Sequence, residues 1–207
     1  KTKQLEELKA IANMANISFI RQKEARGLGH AVLCAKSFVG NDPFAVLYGD
    51  DIIFSRTPVT KQLIDVYSKF TLPVVGVKQV TEQIVKYCSL KVDNIEDNVY
   101  RVWDMIEKPT PDKVFSLLSI LGRVLLIPEI FPVLEKTAPG AGGEIQLTDA
   151  LQAMAQDRGM MAVRMSGMRF DAGDWAEFLT ANIYFALQDE ELRYELLGLL
   201  KNFVQFQ

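Results

Sequence analysis

The chain has 207 residues, 49% of them hydrophobic and 24% charged, with a net charge of −3. That is enough for one sizeable domain with a real core, and it leaves no basic surface of the kind that nucleic acid requires. No apolar run approaches the roughly 20 residues of a membrane span, and one histidine with two cysteines, Cys34 and Cys88, gives no metal-like ligand spacing.

The opening stretch "KTKQLEELKAIANMANISFI" predicts an amphipathic helix with Leu5, Leu8, Ala12 and Ala15 on one face, then a short strand over 17–20. It has no initiating Met, no leader and no first strand, so the chain is expected to be a fragment or to have lost its natural beginning. "ARGLGHA" follows, a glycine turn leading from that strand into a helix over 29–38. Cys34 sits in an apolar run and reads as a buried thiol, which fits a reducing cytoplasm. An apolar strand over 44–48 ends in "YGDD". Thr57-Pro58 then predicts an N-cap with proline at the first helical position, and Leu63, Val66, Tyr67 and Phe70 form a helical stripe.

A further apolar strand is predicted over 72–77, and an antiparallel hairpin over 87–92 and 99–106. After it come a strand over 123–127, a short helix over 128–136, the loop "APGAGG", and a helix carrying Leu147, Ala150, Leu151 and Met154. A strand over 162–165 leads into "GMRFDAGD" and two final helices. The last presents Leu192, Leu196, Leu199, Leu200 and Phe203 on one face, either for packing on the domain or for an oligomer contact. The alternation predicts an α/β fold of the Rossmann-like kind: a mixed, mostly parallel sheet with helices on both faces. With no repeat or linker, 1–207 reads as a single domain with a helical extension from about 174–207.

The glycine turn fails as a dinucleotide fingerprint, because Val32 stands where a third glycine is needed and no acidic residue ends the next strand. It fails as a Walker loop, since no Gly-Lys-Ser/Thr follows. "YGDD" places Asp50 and Asp51 beyond the end of a strand, where open α/β sheets bind ligands. One of the two carboxylates is expected to face the cleft. Either a turn with a capping aspartate or a hard-cation site with phosphate oxygens explains the pair. "IEKP" puts Glu107 and Lys108 at a strand end, and Asp171 in "FDAGD" follows another. Asp50 and Asp171 could share a metal. The set has carboxylates, a lysine and glycine turns but no nucleophile–histidine pair, which suits phosphoryl or nucleotidyl transfer.

In order, "FIRQKEARGLGHAVLCAKSF", "FAVLYGDDI", "IEKP", "ILGR", "PGAGGEIQLTDAL" and "FDAGD" resemble the bacterial UTP–glucose-1-phosphate uridylyltransferases, from about Phe19 to the end. The resemblance implies a nucleotidyltransferase fold and Mg²⁺-dependent synthesis of UDP-glucose and pyrophosphate from UTP and glucose 1-phosphate. It also implies a cytoplasmic homodimer or homotetramer. By position, Gln22 and the backbone of Gly27 would recognise uracil, and Asp50 and Asp171 would hold Mg²⁺. Glu107 would bond glucose hydroxyls, Lys108 would meet the sugar phosphate, and His30 would be structural.

The family's glycine-rich triphosphate loop, with its Arg and Lys, is not in this sequence, and neither is its first strand. Negligible transferase activity and an unpaired central sheet edge are expected if the polypeptide is complete. Three departures are expected on the sugar side. Cys88 stands where the family usually has glycine, Leu117 where it has asparagine, and Trp175 where it has lysine. They motivate two alternatives: an enzyme acting on another sugar 1-phosphate, with uridylyl or thymidylyl transfer, or a catalytically silent nucleotide-sugar-binding homologue or partner subunit.

Overall fold

The computed structural model describes residues 2–205. Helix α1 (Thr2–Ala12) is followed by an extended segment, then α2 (Leu28–Cys34) and α3 (Lys36–Val39). Strands β1 (Phe44–Leu47) and β2 (Asp51–Phe54) precede α4 (Val59–Phe70) and β3 (Val74–Gln79). The hairpin β4 (Cys88–Glu96) and β5 (Val99–Glu107) leads to β6 (Leu118–Leu126) and α5 (Ile130–Lys136). Last come α6 (Leu147–Asp157), β7 (Met160–Arg164), β8 (Met168–Asp171), α7 (Trp175–Gln188) and α8 (Glu190–Gln205).

Six strands form one sheet in the order β1-β6-β3-β7-β5-β4, and β2 pairs with β8 in a separate ribbon. Both faces of the main sheet are covered. Val59, Leu63 and Val66 of α4 pack over Val74, Leu125, Met161 and Val163. Val32 of α2, Ile130, Phe131 and Leu134 of α5, and Leu147, Leu151 and Met154 of α6 pack over Val75, Val124, Leu126 and Ala162. The adjacent residues of β3 and β7 thus bury alternate side chains on opposite faces, which is why both strands read as unbroken apolar runs.

The mixed sheet sandwiched by helices is as expected, but the parallel share is smaller. Among the described residues only β3 and β7 pair in parallel; every other pairing of the main sheet is antiparallel. The interior strand β6 runs against both β1 and β3. It also starts at Leu118, earlier than the sequence pattern indicated. A strand buried on both faces carries the same apolar signature in either direction, so composition cannot report its polarity.

Residues 17–20 form no strand. Ile17 is 69% and Phe19 95% exposed, and no ladder partner lies beside them among the described residues. The amphipathic face of α1 is likewise uncovered, with Leu5, Leu8 and Ile11 all exposed. The α4 N-cap is Pro58 rather than Thr57, one residue later than expected. On α8, Leu192, Leu199 and Leu200 are exposed, so this chain leaves that face largely open; the Phe203 side chain lies outside the described residues. No helix of the described residues is long and apolar enough to cross a membrane.

Candidate active site

A cleft of about 250 Å³ opens at the starts of β2 and β4, the ends of β5 and β8 and the middle of β6, with the start of α6 as one wall. Asp50, Asp51, Cys88, Glu107, Thr148, Arg169 and Asp171 line it, with Leu28 from the glycine turn. Two of its regions are built by different means.

The carboxylate region is a polar network. Asp51 pairs with Asp171 across the β2–β8 ribbon, and the backbone N–H of Ala172 donates to the Asp50 carbonyl at 2.7 Å. Arg169 lies two residues before Asp171 on β8, hence on the same face. Its Nε donates to Asp51 Oδ1, and its Nη2 donates to Asp171 Oδ2 at 3.2 Å. Asp51 is 5% exposed. Burial pushes its carboxyl above the ordinary range, with the Arg169 guanidinium opposing that shift. On Arg169 burial acts to lower the pKa, and the bonds to Asp51 and Asp171 outweigh it. Arg123 completes the frame by donating from Nη2 to the Asp51 carbonyl at 2.9 Å. Gly122 has φ +67°, and a β-carbon there would fall on the Asp51 carboxylate.

Of the adjacent aspartates, then, Asp51 is spent on structure and Asp50 remains exposed. An added β-carbon on Gly173 would lie 3.1 Å from Asp171 Oδ1 and 3.7 Å from Asp50 Oδ2, so both carboxylates border the same space. Asp171 Oδ1 also accepts from the Gly173 N–H at 2.9 Å. Asp174 caps α7 by accepting from the N–H groups of Ala176 and Glu177, both at 3.0 Å, and Glu177 accepts from the Asp171 N–H at 2.6 Å. Among the described residues no cluster of three or more His, Cys, Asp or Glu side chains forms a self-contained metal site. Two hard oxygen donors from Asp50 and Asp171 do fit a cation whose other ligands are phosphate oxygens and water.

At the opposite wall Glu107 accepts from Thr148 Oγ1 at 3.0 Å, which ties the end of β5 to the first turn of α6. Cys88 pairs with Glu107 across the hairpin and is buried; burial and then the Glu107 charge push its thiol well up, keeping it protonated. Tyr48 is raised in the same way, by burial and then Glu107. Lys108 is exposed and does not line the cleft. Its backbone takes the left-handed value φ +46°, and its N–H donates to the Tyr87 carbonyl at 2.9 Å.

The glycine-turn region rests on backbone contact. Gly27 has φ +94°, and a β-carbon there would approach Glu144 Cβ and the Ile145 carbonyl to 2.8 Å. The Ile145 N–H donates to the Arg26 carbonyl at 2.8 Å, and the Gly29 N–H donates to the Ile145 carbonyl at 2.9 Å. The "RGLG" turn and the "GGEIQ" segment are therefore zipped together, and only glycine permits the approach. Gln22 Nε2 donates to the Gly27 carbonyl at 3.1 Å and to His30 Nδ1 at 2.9 Å. Cys34 is half-buried rather than buried, with Sγ 3.8 Å from His30 Nε2.

Asp50, Asp171, Glu107 and Cys88 thus meet in one cleft, whereas Gln22 and Gly27 do not line it; Gly27 precedes the lining residue Leu28, and Gln22 bonds the Gly27 carbonyl. Two of the expected sugar-side departures lie elsewhere. Leu117 lines a separate surface hollow with Gln79, Tyr100 and Arg164, because "FSLLS" is pinned between Val80, whose N–H donates to the Leu117 carbonyl, and β4, where Ser89 and Leu90 bond Ser116. Trp175 is 84% exposed at the start of α7 and borders a shallow recess with Phe178. The pattern reading missed Arg169, Arg123, Gly122 and Thr148. The Arg169/Asp171 spacing of two was the available signal for the first.

The family model for nucleotidyl transferases matches residues 1–187. The chain belongs to the nucleotidyl transferase family. Within it, the chain is 45% identical over 202 residues to the UTP–glucose-1-phosphate uridylyltransferase of Bacillus subtilis, covering 97% of this chain and 69% of that protein. It is 42% identical to the enzyme of the same name from Staphylococcus haemolyticus, covering 95% and 69%. Among solved structures, a UDP-glucose pyrophosphorylase complexed with UDP-glucose superposes with a TM-score of 0.84 at 36% identity, over 89% of this chain and 73% of that one. The UTP-bound enzyme from Acinetobacter baumannii gives 0.82 at 31%, over 96% and 71%. This nucleotidyltransferase is thus of the UDP-glucose pyrophosphorylase type.

Proposed function

We propose that this nucleotidyltransferase makes UDP-glucose and pyrophosphate from UTP and glucose 1-phosphate. The observation that carries the reading is the convergence of Asp50 and Asp171 above Gly173, in the same cleft as the Glu107–Thr148 pair. A phosphate oxygen of glucose 1-phosphate attacks the α-phosphorus of UTP in line, the new P–O bond forms, and the bond to the β-phosphate oxygen breaks to release pyrophosphate. The attacking oxygen is already ionised, so no general base is required. Asp50 and Asp171 would hold Mg²⁺, which when bound supplies charge neutralisation at the phosphates. Glu107, oriented by Thr148, accepts from sugar hydroxyls. Lys108, next to Glu107 but outside the cleft lining, would reach in to meet the sugar phosphate. Gln22 and the Gly27 backbone read uracil. The open apolar face of α8 supports the expected homodimer or homotetramer.

One observation favours a second reading. Cys88 lines the cleft beside Glu107, and a thiol there narrows the space for a hexose, which favours another sugar 1-phosphate or binding without turnover. Pyrophosphate release by the natural protein that carries this chain tests both readings. Glucose 1-phosphate should be the best acceptor, and Asp50→Asn should lower turnover by about 10²-fold or more. Release with a different sugar 1-phosphate alone, or UTP binding with no release, supports the second reading. Unchanged metal-dependent turnover in Asp50→Asn overturns the carboxylate assignment.

A further inference from the structure

We infer that His30 is a positioning residue for nucleotide selectivity: its Nδ1 locks the Gln22 amide so that the carbonyl oxygen, not the NH₂ group, faces the base. The inference rests on the proposed reading of Gln22 and Gly27 as base-facing groups. Gln22 Nε2 has two hydrogens and two acceptors, the Gly27 carbonyl at 3.1 Å and His30 Nδ1 at 2.9 Å. The Nδ1 contact requires a lone pair, so the imidazole proton sits on Nε2, next to the Cys34 sulfur at 3.8 Å. A flipped amide would set Oε1 against the Gly27 carbonyl and lose that bond, and it would keep the second only by moving the imidazole proton to Nδ1.

With both N–H groups committed, Gln22 Oε1 is left as an acceptor, and neither it nor the Gly27 N–H bonds to another described residue. An acceptor beside a donor matches the N3–H and carbonyl edge of uracil. Cytosine offers the reverse pattern, an unprotonated N3 and an amino group. Thymine shares the uracil edge, so the device separates uridine from cytidine nucleotides and not from thymidine nucleotides. Removing the His30 acceptor leaves the amide held by the Gly27 carbonyl alone and free to present its NH₂ group.

The test is calorimetric binding of UTP, CTP and dTTP to the natural protein carrying this chain. His30→Phe should lower the UTP-over-CTP preference by about tenfold, the worth of one hydrogen bond, and leave the UTP-to-dTTP ratio unaltered. His30→Asn, whose Oδ1 takes the place of Nδ1, should restore the preference. Ratios cancel any partial loss of folded protein. An unchanged UTP-over-CTP preference in His30→Phe, or an equal loss in His30→Asn, overturns the inference. So does a nitrogen NMR signal that puts the His30 proton on Nδ1. Gln22→Ala separates the two levels: if it too leaves the preference intact, or if UTP does not bind the unsubstituted protein, the base-reading assignment itself is wrong.

Discussion

The carboxylate region of the cleft and the glycine turn beside it are fixed by opposite kinds of force. At the first, charge does the holding: Arg169 joins Asp51 to Asp171, and Arg123 ties the Asp51 backbone. At the second, neutral backbone contact does it, through Gly27 and Gly29 against Ile145. The difference teaches that charges are held in place by other charges at a buried polar site, whereas a neutral amide is turned by the backbone packed around it; on the proposed reading the first serves phosphate and the second the base. Damage to one region should therefore leave the signature of the other intact.

Arg169→Met should break the contrast most severely. It leaves the buried Asp51 carboxylate without its cation, a loss of about 3–5 kcal/mol, read by denaturant unfolding. Turnover should fall with it, while the UTP-over-CTP binding preference of the protein that remains folded stays as it was. Gly27→Ala comes next. The left-handed backbone and the approach to Ile145 set a cost of about 1–3 kcal/mol, and here the base preference should change more than pyrophosphate release at saturating UTP. Thr148→Val is the mildest. It removes one hydrogen bond to Glu107 at about 1 kcal/mol, and should raise KM for the sugar phosphate with little effect on either nucleotide. A loss of base preference in Arg169→Met would mean that the two regions are not independent.

Much of this layout was legible in the sequence. Buried stripes on α4 and α6 fell where helical spacing put them, because Leu63, Val66, Leu147 and Met154 each answer to a sheet face. The β4–β5 hairpin followed from its polar connection. What failed were short elements decided by distant partners. Residues 17–20, with β-branched Ile17 and Ile20, meet no strand among the described residues, whereas Ile52 to Phe54 form a strand only because Met168 to Phe170 lie opposite. Strand direction in the main sheet was hidden for the reason that buries both faces. At the site, the chemical groups Asp50, Glu107 and Asp171 were visible as motif ends, but their support was not. Arg169 gains its meaning from Asp51, 118 residues away, and no local pattern carries that distance.

Gly122 constrains how this cleft can vary over time. A side chain at 122 claims the volume of both the Asp51 β-carbon and its carboxylate, so a residue larger than glycine is admissible only with glycine at 51. That exchange strips Arg169 of its buried partner and loosens the hold on Asp171. Positions 51, 122 and 169 therefore form one unit of substitution, in which a single change is a defect and only a concerted replacement opens a new sequence. Cys88 and Thr148 lie outside that unit, so the wall they form can change without disturbing it.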